Sequence, residues 1–237
     1  MMTMNVVNVE GTTVAVAALR LRQVMVKLTD HQMTKGLSHD ELATLTTNTV
    51  AQLETLTDAL THDEWAGGEE WYQLANQLCN EWALDHGLRF DYVAGIIAAL
   101  SPQIQWEVNL ADAQSILKDG ERASTAAFGP NVVKALWILD GTDPESELGG
   151  RKVRSFYQNI AYPYHSLDVT LDSWMAGMLG HNPKFLERKG TYDAISDAFR
   201  IVAERHCVLP HQLQAALWIG ANGKTNINVL TYGKDET

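Results

Sequence analysis

Two adjacent stretches, EEWYQLANQLCNEWALDHG at residues 69–87 and FDYVAGIIAAL at residues 90–100, decide the fold class. In the first stretch, large apolar side chains recur at intervals of three and four residues, the spacing of one face of an α-helix. These side chains are Trp71, Leu74, Leu78 and Trp82. The second stretch is short and almost wholly apolar, which predicts a buried central helix. We therefore predict a mainly all-α protein.

Helical patterns continue along the chain after residue 100. They predict further helices near residues 105–120, 131–139, 150–161, 171–179, 191–206 and 210–221. The Gly67–Gly68 pair is predicted to interrupt the chain, and residues 141–150 are predicted to form a turn-rich connection. Residues 66–222 are thus expected to form one helical domain, followed by a polar C-terminal tail at residues 223–237.

The region before this domain has a different character. Ser38-His-Asp-Glu41 has the pattern of a capping box, so a helix is predicted over residues 39–60. Residues 1–30 are rich in Val and Thr with partial alternation, which fits either a pair of strands or an irregular helix. Residues 1–65 are therefore interpreted as an N-terminal extension with one helix and candidate strands before it.

The charge of the 237-residue chain narrows the range of partners. The net charge of −11 argues against a protein that coats nucleic acid without specificity. The excess of negative charge lies mostly in residues 1–98, which hold 5 Lys or Arg against 13 Asp or Glu. Residues 99–237 hold 13 against 16, so a local phosphate-binding site is compatible with the composition.

Several classes of protein are excluded by what the sequence lacks. No apolar run approaches the roughly 18 residues of a membrane span, and no secretory signal pattern opens the chain. Cys79 and Cys207 form no CxxC pair, and the eight histidines show no metal-ligand spacing. GxSxG, P-loop and GxGxxG motifs are also missing. We therefore expect a cytoplasmic protein with no metal, no cofactor and no membrane contact.

The stretch from Leu148 to Trp174 concentrates groups that suit phosphate binding and catalysis. A glycine turn, Gly149–Gly150, opens a predicted helix, and such a turn can present backbone N–H groups to an anion. Three cations follow it: Arg151, Lys152 and Arg154. Asp172 then stands beside apolar neighbours as a candidate catalytic carboxylate, or as an ordinary helix N-cap.

Glutamine and tryptophan residues form two further candidate sites. Gln103 follows Ser101-Pro102 at a predicted helix junction, where an amide can contact base edges or fill the gap left by a displaced base. Trp106 and Asn109 lie three residues apart on one helix face. The alternative is that Ser101 caps the next helix and Gln103 is solvated.

Gln214 and Trp218 are spaced i, i+4 and so lie on one helix face. There the amide could form hydrogen bonds with the edge of a planar ring, and the indole could stack on its face. The alternative for this pair is that the tryptophan is an ordinary core residue of an amphipathic helix.

Taken together, three of these segments resemble the helix-hairpin-helix DNA glycosylase superfamily (HhH-GPD), over about residues 70–222. AALSPQ at residues 98–103 is similar to the family's helix that ends in a Ser-x-Gln step. LGGRKVRSFYQNI at residues 148–160 is similar to the hairpin segment, and VTLDSW at residues 169–174 to the segment with the catalytic Asp. The resemblance implies a glycosylase-like helical bundle.

The same resemblance implies roles for individual residues. Asp172 would be the catalytic carboxylate, Lys152 the counterpart of the lysine that attacks the sugar in lyase-type members, and Gln103 the intercalating amide. Gly149 and Gly150 would bind a DNA phosphate. The chain has only Leu148-Gly149-Gly150 where the family usually has Leu-Pro-Gly-Val-Gly.

The segments are also similar to small proteins from phage genomes. Some of these relatives transfer an amino acid or polyamine onto an activated hydroxymethyl base, which implies a phage-encoded protein in a bacterial host. Three functions therefore stay open. The first is a DNA glycosylase-like enzyme that flips a base into an aromatic pocket, with Trp106, Tyr157, Trp174 and Trp218 as candidate lining. The second is a base-modifying transferase with an amino acid or amine as co-substrate, and the third is a non-catalytic helical binding protein.

Overall fold

The computed structural model describes residues 36–222, and over this range the chain is all-α without a strand. The candidate strands of residues 1–30 and the predicted tail at 223–237 lie outside the described residues. The described chain divides into two compact units. Residues up to Glu69 and from Leu171 onward form one, here called the terminal unit, and Glu70–Thr170 form the other, the central unit.

The terminal unit is built around a pair of packed helices. Its α-helices are α1 (His39–Thr57), the start of α2 (His62–His86), α8 (Ser173–Met178), α9 (Thr191–Arg205) and α10 (Pro210–Asn222). The helices α1 and α9 pack together, and the Thr46 hydroxyl donates across the pair to the carbonyl of Ala194 at 3.1 Å. Ser38 begins α1 as the capping box that its sequence predicts, because its Oγ accepts the N–H of Glu41.

One prediction about this region is wrong, because Gly67–Gly68 does not interrupt the chain. Helix α2 runs without a break from His62 to His86. A Cβ atom added to Gly68 would lie 2.4–2.5 Å from atoms of Ala216 in α10, two of them backbone atoms. The glycine is therefore a contact point between two helices, where any side chain would keep the backbones apart.

The central unit is organised around α3. Its α-helices are the rest of α2, then α3 (Phe90–Leu100), α4 (Trp106–Asp119), α5 (Gly129–Leu139), α6 (Pro144–Glu147) and α7 (Arg151–Ala161). Residues 93–100 of α3 are all buried, and α3 packs against α4, α5, α6 and α7. The predicted buried central helix is therefore confirmed. Gly95 allows the close approach of α6, since a Cβ there would lie 2.8 Å from the Pro144 ring.

Differences from the predicted helix boundaries are small. The helix predicted from residue 131 begins at Gly129, and the one predicted over 171–179 is the shorter Ser173–Met178. The connection at 141–150 contains one turn of helix, Pro144–Glu147, that the sequence pattern does not predict. Within residues 36–222, no helix has both the length and the apolar character required to cross a membrane.

The two cysteines occupy opposite environments. Cys79 lies in α2 and is fully buried, and burial raises the pKa of its thiol. Cys207 is exposed just after α9 and adopts a φ of 57°. The N–H of Cys207 donates to Glu204 and that of Val208 to Ala203, so α9 ends in a Schellman motif with cysteine at the usual glycine position.

Candidate functional site

The Gly149–Gly150 turn opens α7 as the sequence predicts. Gly150 is the N-cap residue with a φ of 77°, a backbone conformation that favours glycine. As a glycine, the N-cap residue has no side chain with which to cap the helix. Arg151 is exposed and Lys152 is half-buried in the first turn. The helix therefore begins with backbone N–H groups and two adjacent cations, an arrangement that favours an anion.

Two further cations contact the chain that leads into this turn. The Nε of Arg154 donates to the carbonyl of Leu148 at 2.6 Å, and the Nζ of Lys134 donates to that of Glu147 at 3.3 Å. Lys134 also lies beside Gly149, with its Nζ 3.5 Å from where a Cβ would be. Sequence reasoning did not single out Lys134, because it lies on α5 and reaches the turn only through tertiary packing.

A cavity of about 360 Å³ lies along α7 within the central unit. This polar pocket is lined by the predicted residues Arg151, Arg154 and Tyr157, and by Glu145, Ser155, Gln158 and Asp168, which the sequence did not indicate. Lys152 is not part of the lining. Tyr157 is 2% exposed, and burial, followed by the neighbouring Tyr162, raises the pKa of its phenol. Its hydroxyl is therefore neutral at physiological pH.

A hydrogen-bond network connects α7 to the segment that carries Asp168. The amide of Asn159 donates to the hydroxyl of Thr170 at 3.1 Å and accepts from Ser166 at 2.6 Å. The Ser166 hydroxyl also accepts the backbone N–H of Asp168, at 3.2 Å. Ser155 in turn donates to the Asp168 carboxylate at 3.4 Å. These bonds hold the backbone at Asp168 in place, and its carboxylate lies against the helix with Ser155 as its hydrogen-bond donor.

Phe156, on the same helix, belongs to an aromatic cluster that also contains Trp71, Tyr72 and Trp106. The rings of Trp71 and Trp106 are 5.0 Å apart, and each lies about 6 Å from Phe156. The indole Nε1 atoms of both tryptophans are buried and have no hydrogen-bond partner among the described residues. The same is true of Oδ1 of Asn109, which is 2% exposed and one helical turn after Trp106.

The junction between α3 and α4 presents Gln103 in an unusual conformation. Ser101 ends α3 and its hydroxyl donates to the carbonyl of Ala98 at 2.9 Å, so it does not cap the next helix as one alternative supposed. Gln105 is the N-cap of α4. Gln103 between them has a φ of 64° and an exposed side chain. A non-glycine residue in this region is uncommon and is enriched at functional sites.

The remaining predicted residues lie in the terminal unit. Asp172 is the N-cap of α8, and its Oδ1 accepts the N–H of Met175 at 2.9 Å. Trp174 is 43% exposed in the same helix. In α10, Gln214 is 6% exposed and Trp218 is half-buried.

The N-cap interpretation of Asp172 is therefore confirmed, and its catalytic role stays a prediction. Because only Oδ1 of Asp172 accepts the capping hydrogen bond, Oδ2 can accept a bond from another group.

The predicted site residues therefore fall into two groups. The central unit brings together the turn at Gly149–Gly150, the polar pocket and the aromatic cluster, all on or beside α7. Among the described residues, no group of three or more His, Cys, Asp or Glu side chains is arranged to hold a metal ion.

Comparison with known proteins gives a family but no function. No curated protein and no solved structure matches the chain. One family matches residues 33–225, a range that includes every helix described above. The chain therefore belongs to DUF7178, a family of unknown function.

Proposed function

We propose that the protein binds DNA and acts on a base that it draws out of the stack. The observation that carries the proposal is the aromatic cluster with its unpartnered polar atoms. A buried N–H or C=O without a partner costs about 1–3 kcal/mol. Two indole N–H groups, of Trp71 and Trp106, and the amide oxygen of Asn109 have this property within the central unit. A planar heterocycle offers both ring faces for stacking and edge atoms for such donors and acceptors.

Gln103 supports the same proposal. Its side chain is exposed, and its left-handed backbone costs roughly 1 kcal/mol for a residue with a Cβ. A glycine would avoid that cost, so an amide side chain at this position has an energetic cost that a functional role would explain. An amide projecting from the end of a buried helix suits insertion into a duplex beside a displaced base.

The N-terminus of α7 supports DNA as the polymer. Gly150, Arg151 and Lys152 present backbone N–H groups and positive charge, and Lys134 adds a further cation at Gly149. Such a site binds one phosphate locally, which is compatible with a net charge of −11. In this proposal Asp172 is the carboxylate that stabilises the sugar cation or activates water, and the protein is intracellular.

Salt dependence tests the phosphate contacts. We expect a fluorescently labelled duplex to bind with an affinity that falls as salt rises, because counterions are released from each neutralised phosphate. The double variant Lys134→Gln, Lys152→Gln should weaken binding and reduce the salt slope by about 1 for each cation that no longer neutralises a phosphate. Lys118→Gln, an exposed lysine at the end of α4, is the matched control. Salt-independent binding, or equal effects of all variants, would contradict the proposal.

A base-displacement assay tests Gln103. We expect 2-aminopurine at a mismatch to become more fluorescent when the protein binds, because the displaced base loses its stacking partners. Gln103→Ala should reduce this increase, since the inserted amide is missing. Gln105→Ala, an exposed glutamine two residues away, should leave it unchanged. If the two variants behave alike, Gln103 has no special part in displacing the base.

A further inference from the structure

The polar pocket carries charged groups of both signs, and of these the proposed phosphate site uses only Arg151. Two guanidinium groups, of Arg151 and Arg154, and two carboxylates, of Glu145 and Asp168, line it. A simple anion in this cavity would meet the carboxylates, and a simple cation would meet the guanidinium groups. Only a ligand with both signs of charge is favoured by both halves of the lining.

Arg154 is prepared to bind a carboxylate. Its Nε is held by the carbonyl of Leu148 at 2.6 Å, which orients the guanidinium plane. The two terminal nitrogens supply further donors, and a carboxylate is the group whose geometry matches such a fork. Among the described residues, Arg154 forms no ion pair.

Asp168 is prepared to bind an ammonium group. Its carboxylate accepts from Ser155 at 3.4 Å, and its backbone is held by Ser166 at 3.2 Å. Within residues 36–222 it too has no cationic partner, although Arg154 lines the same cavity. Arg154 and Asp168 therefore line one pocket without forming an ion pair with each other, which leaves both charges available to a ligand.

The geometry points to a small α-amino acid as the ligand of the polar pocket, with its carboxylate on Arg154 and its ammonium group on Asp168. The volume of about 360 Å³ is at the lower end of the range for small-molecule sites. Tyr157 and Gln158 complete the wall with uncharged polar groups. This inference adds a ligand to the proposed function and does not depend on DNA binding.

Calorimetric titration of the full-length protein without DNA tests the inference. Glycine, L-alanine and L-serine are the probes, and acetate and ethylammonium, which carry only one of the two charges, are the comparison ligands. We expect saturable binding of at least one amino acid, with acetate and ethylammonium at least about tenfold weaker. Arg154→Gln and Asp168→Asn should each weaken amino acid binding about tenfold or more, and Arg154→Lys should retain part of it.

Arg122→Gln and Asp119→Asn are matched controls, because both residues are exposed near the end of α4 and do not line the pocket. Thermal unfolding shows whether each variant is folded. The inference is overturned if none of the three amino acids binds at millimolar concentration. It is also overturned if acetate binds as tightly as the amino acids, or if Asp168→Asn binds them normally. Because DNA is omitted, a negative result here leaves the DNA proposal standing, and failure of DNA binding leaves this inference standing.

Discussion

Asp172→Asn is expected to reduce turnover by about 10²–10⁴-fold while leaving the free energy of unfolding nearly unchanged. The Oδ1 of Asp172 accepts the N–H of Met175 at 2.9 Å, and an asparagine oxygen can accept the same bond. Asparagine cannot carry the negative charge that would stabilise a sugar cation or accept a proton from water. The substitution therefore separates the capping role from the proposed catalytic role.

Asp172→Ala provides the comparison. It removes both roles, so it should lose activity and also about 1 kcal/mol of stability. Activity is measured as base release from normal, damaged and hydroxymethylated DNA, or as phosphate or pyrophosphate release from activated DNA plus an amine. Stability is measured by urea denaturation. If an activity is found and Asp172→Asn retains it, Asp172 is a helix cap only, and the catalytic assignment must be abandoned.

Gly68→Ala is expected to destabilise the protein by about 1–3 kcal/mol, the usual range for overpacking. The added methyl group would lie 2.5 Å from two backbone atoms of Ala216, so α10 must move. The sign of the effect makes the test decisive. Without the close approach of Ala216, replacing a glycine within a helix by alanine would stabilise it by about 0.8–1.0 kcal/mol.

The control for Gly68 is Gly149→Ala just before α7, where an added Cβ would meet only the flexible end of the Lys134 side chain, at 3.5 Å. Its free energy of unfolding should stay the same or rise slightly, whereas that of Gly68→Ala should fall. Both values come from the midpoint and slope of urea unfolding curves. Stabilisation by Gly68→Ala would contradict the close packing of Gly68 against Ala216.

Much of the fold could be predicted because helix periodicity is a local property. The apolar run at 90–100 predicts α3, and Ser38 predicts the start of α1, from neighbouring residues alone. Gly67–Gly68 misled the prediction for a related reason. A glycine pair usually breaks a helix. Here Gly68 instead allows the close approach of Ala216, which is almost 150 residues away along the chain.

The candidate site, like the fold, could be predicted only where the signal lies in neighbouring residues. Arg151 and Arg154 follow a glycine turn, so the sequence marks them as candidates. Asp168 has no comparable signal, because its position depends on the bonds from Asn159 through Ser166. The unpartnered indole groups of Trp71 and Trp106 can likewise be recognised only in the folded chain, where the two rings are in contact.

The unequal environments of the two cysteines make the protein simple to label at one position. The Cys79 thiol is fully buried and its raised pKa disfavours the reactive thiolate, whereas the Cys207 side chain is exposed. The folded protein thus offers one accessible thiol for a maleimide dye or a spin label without any engineered substitution. A reporter on Cys207 would sit at the end of α9, outside the polar pocket and the aromatic cluster.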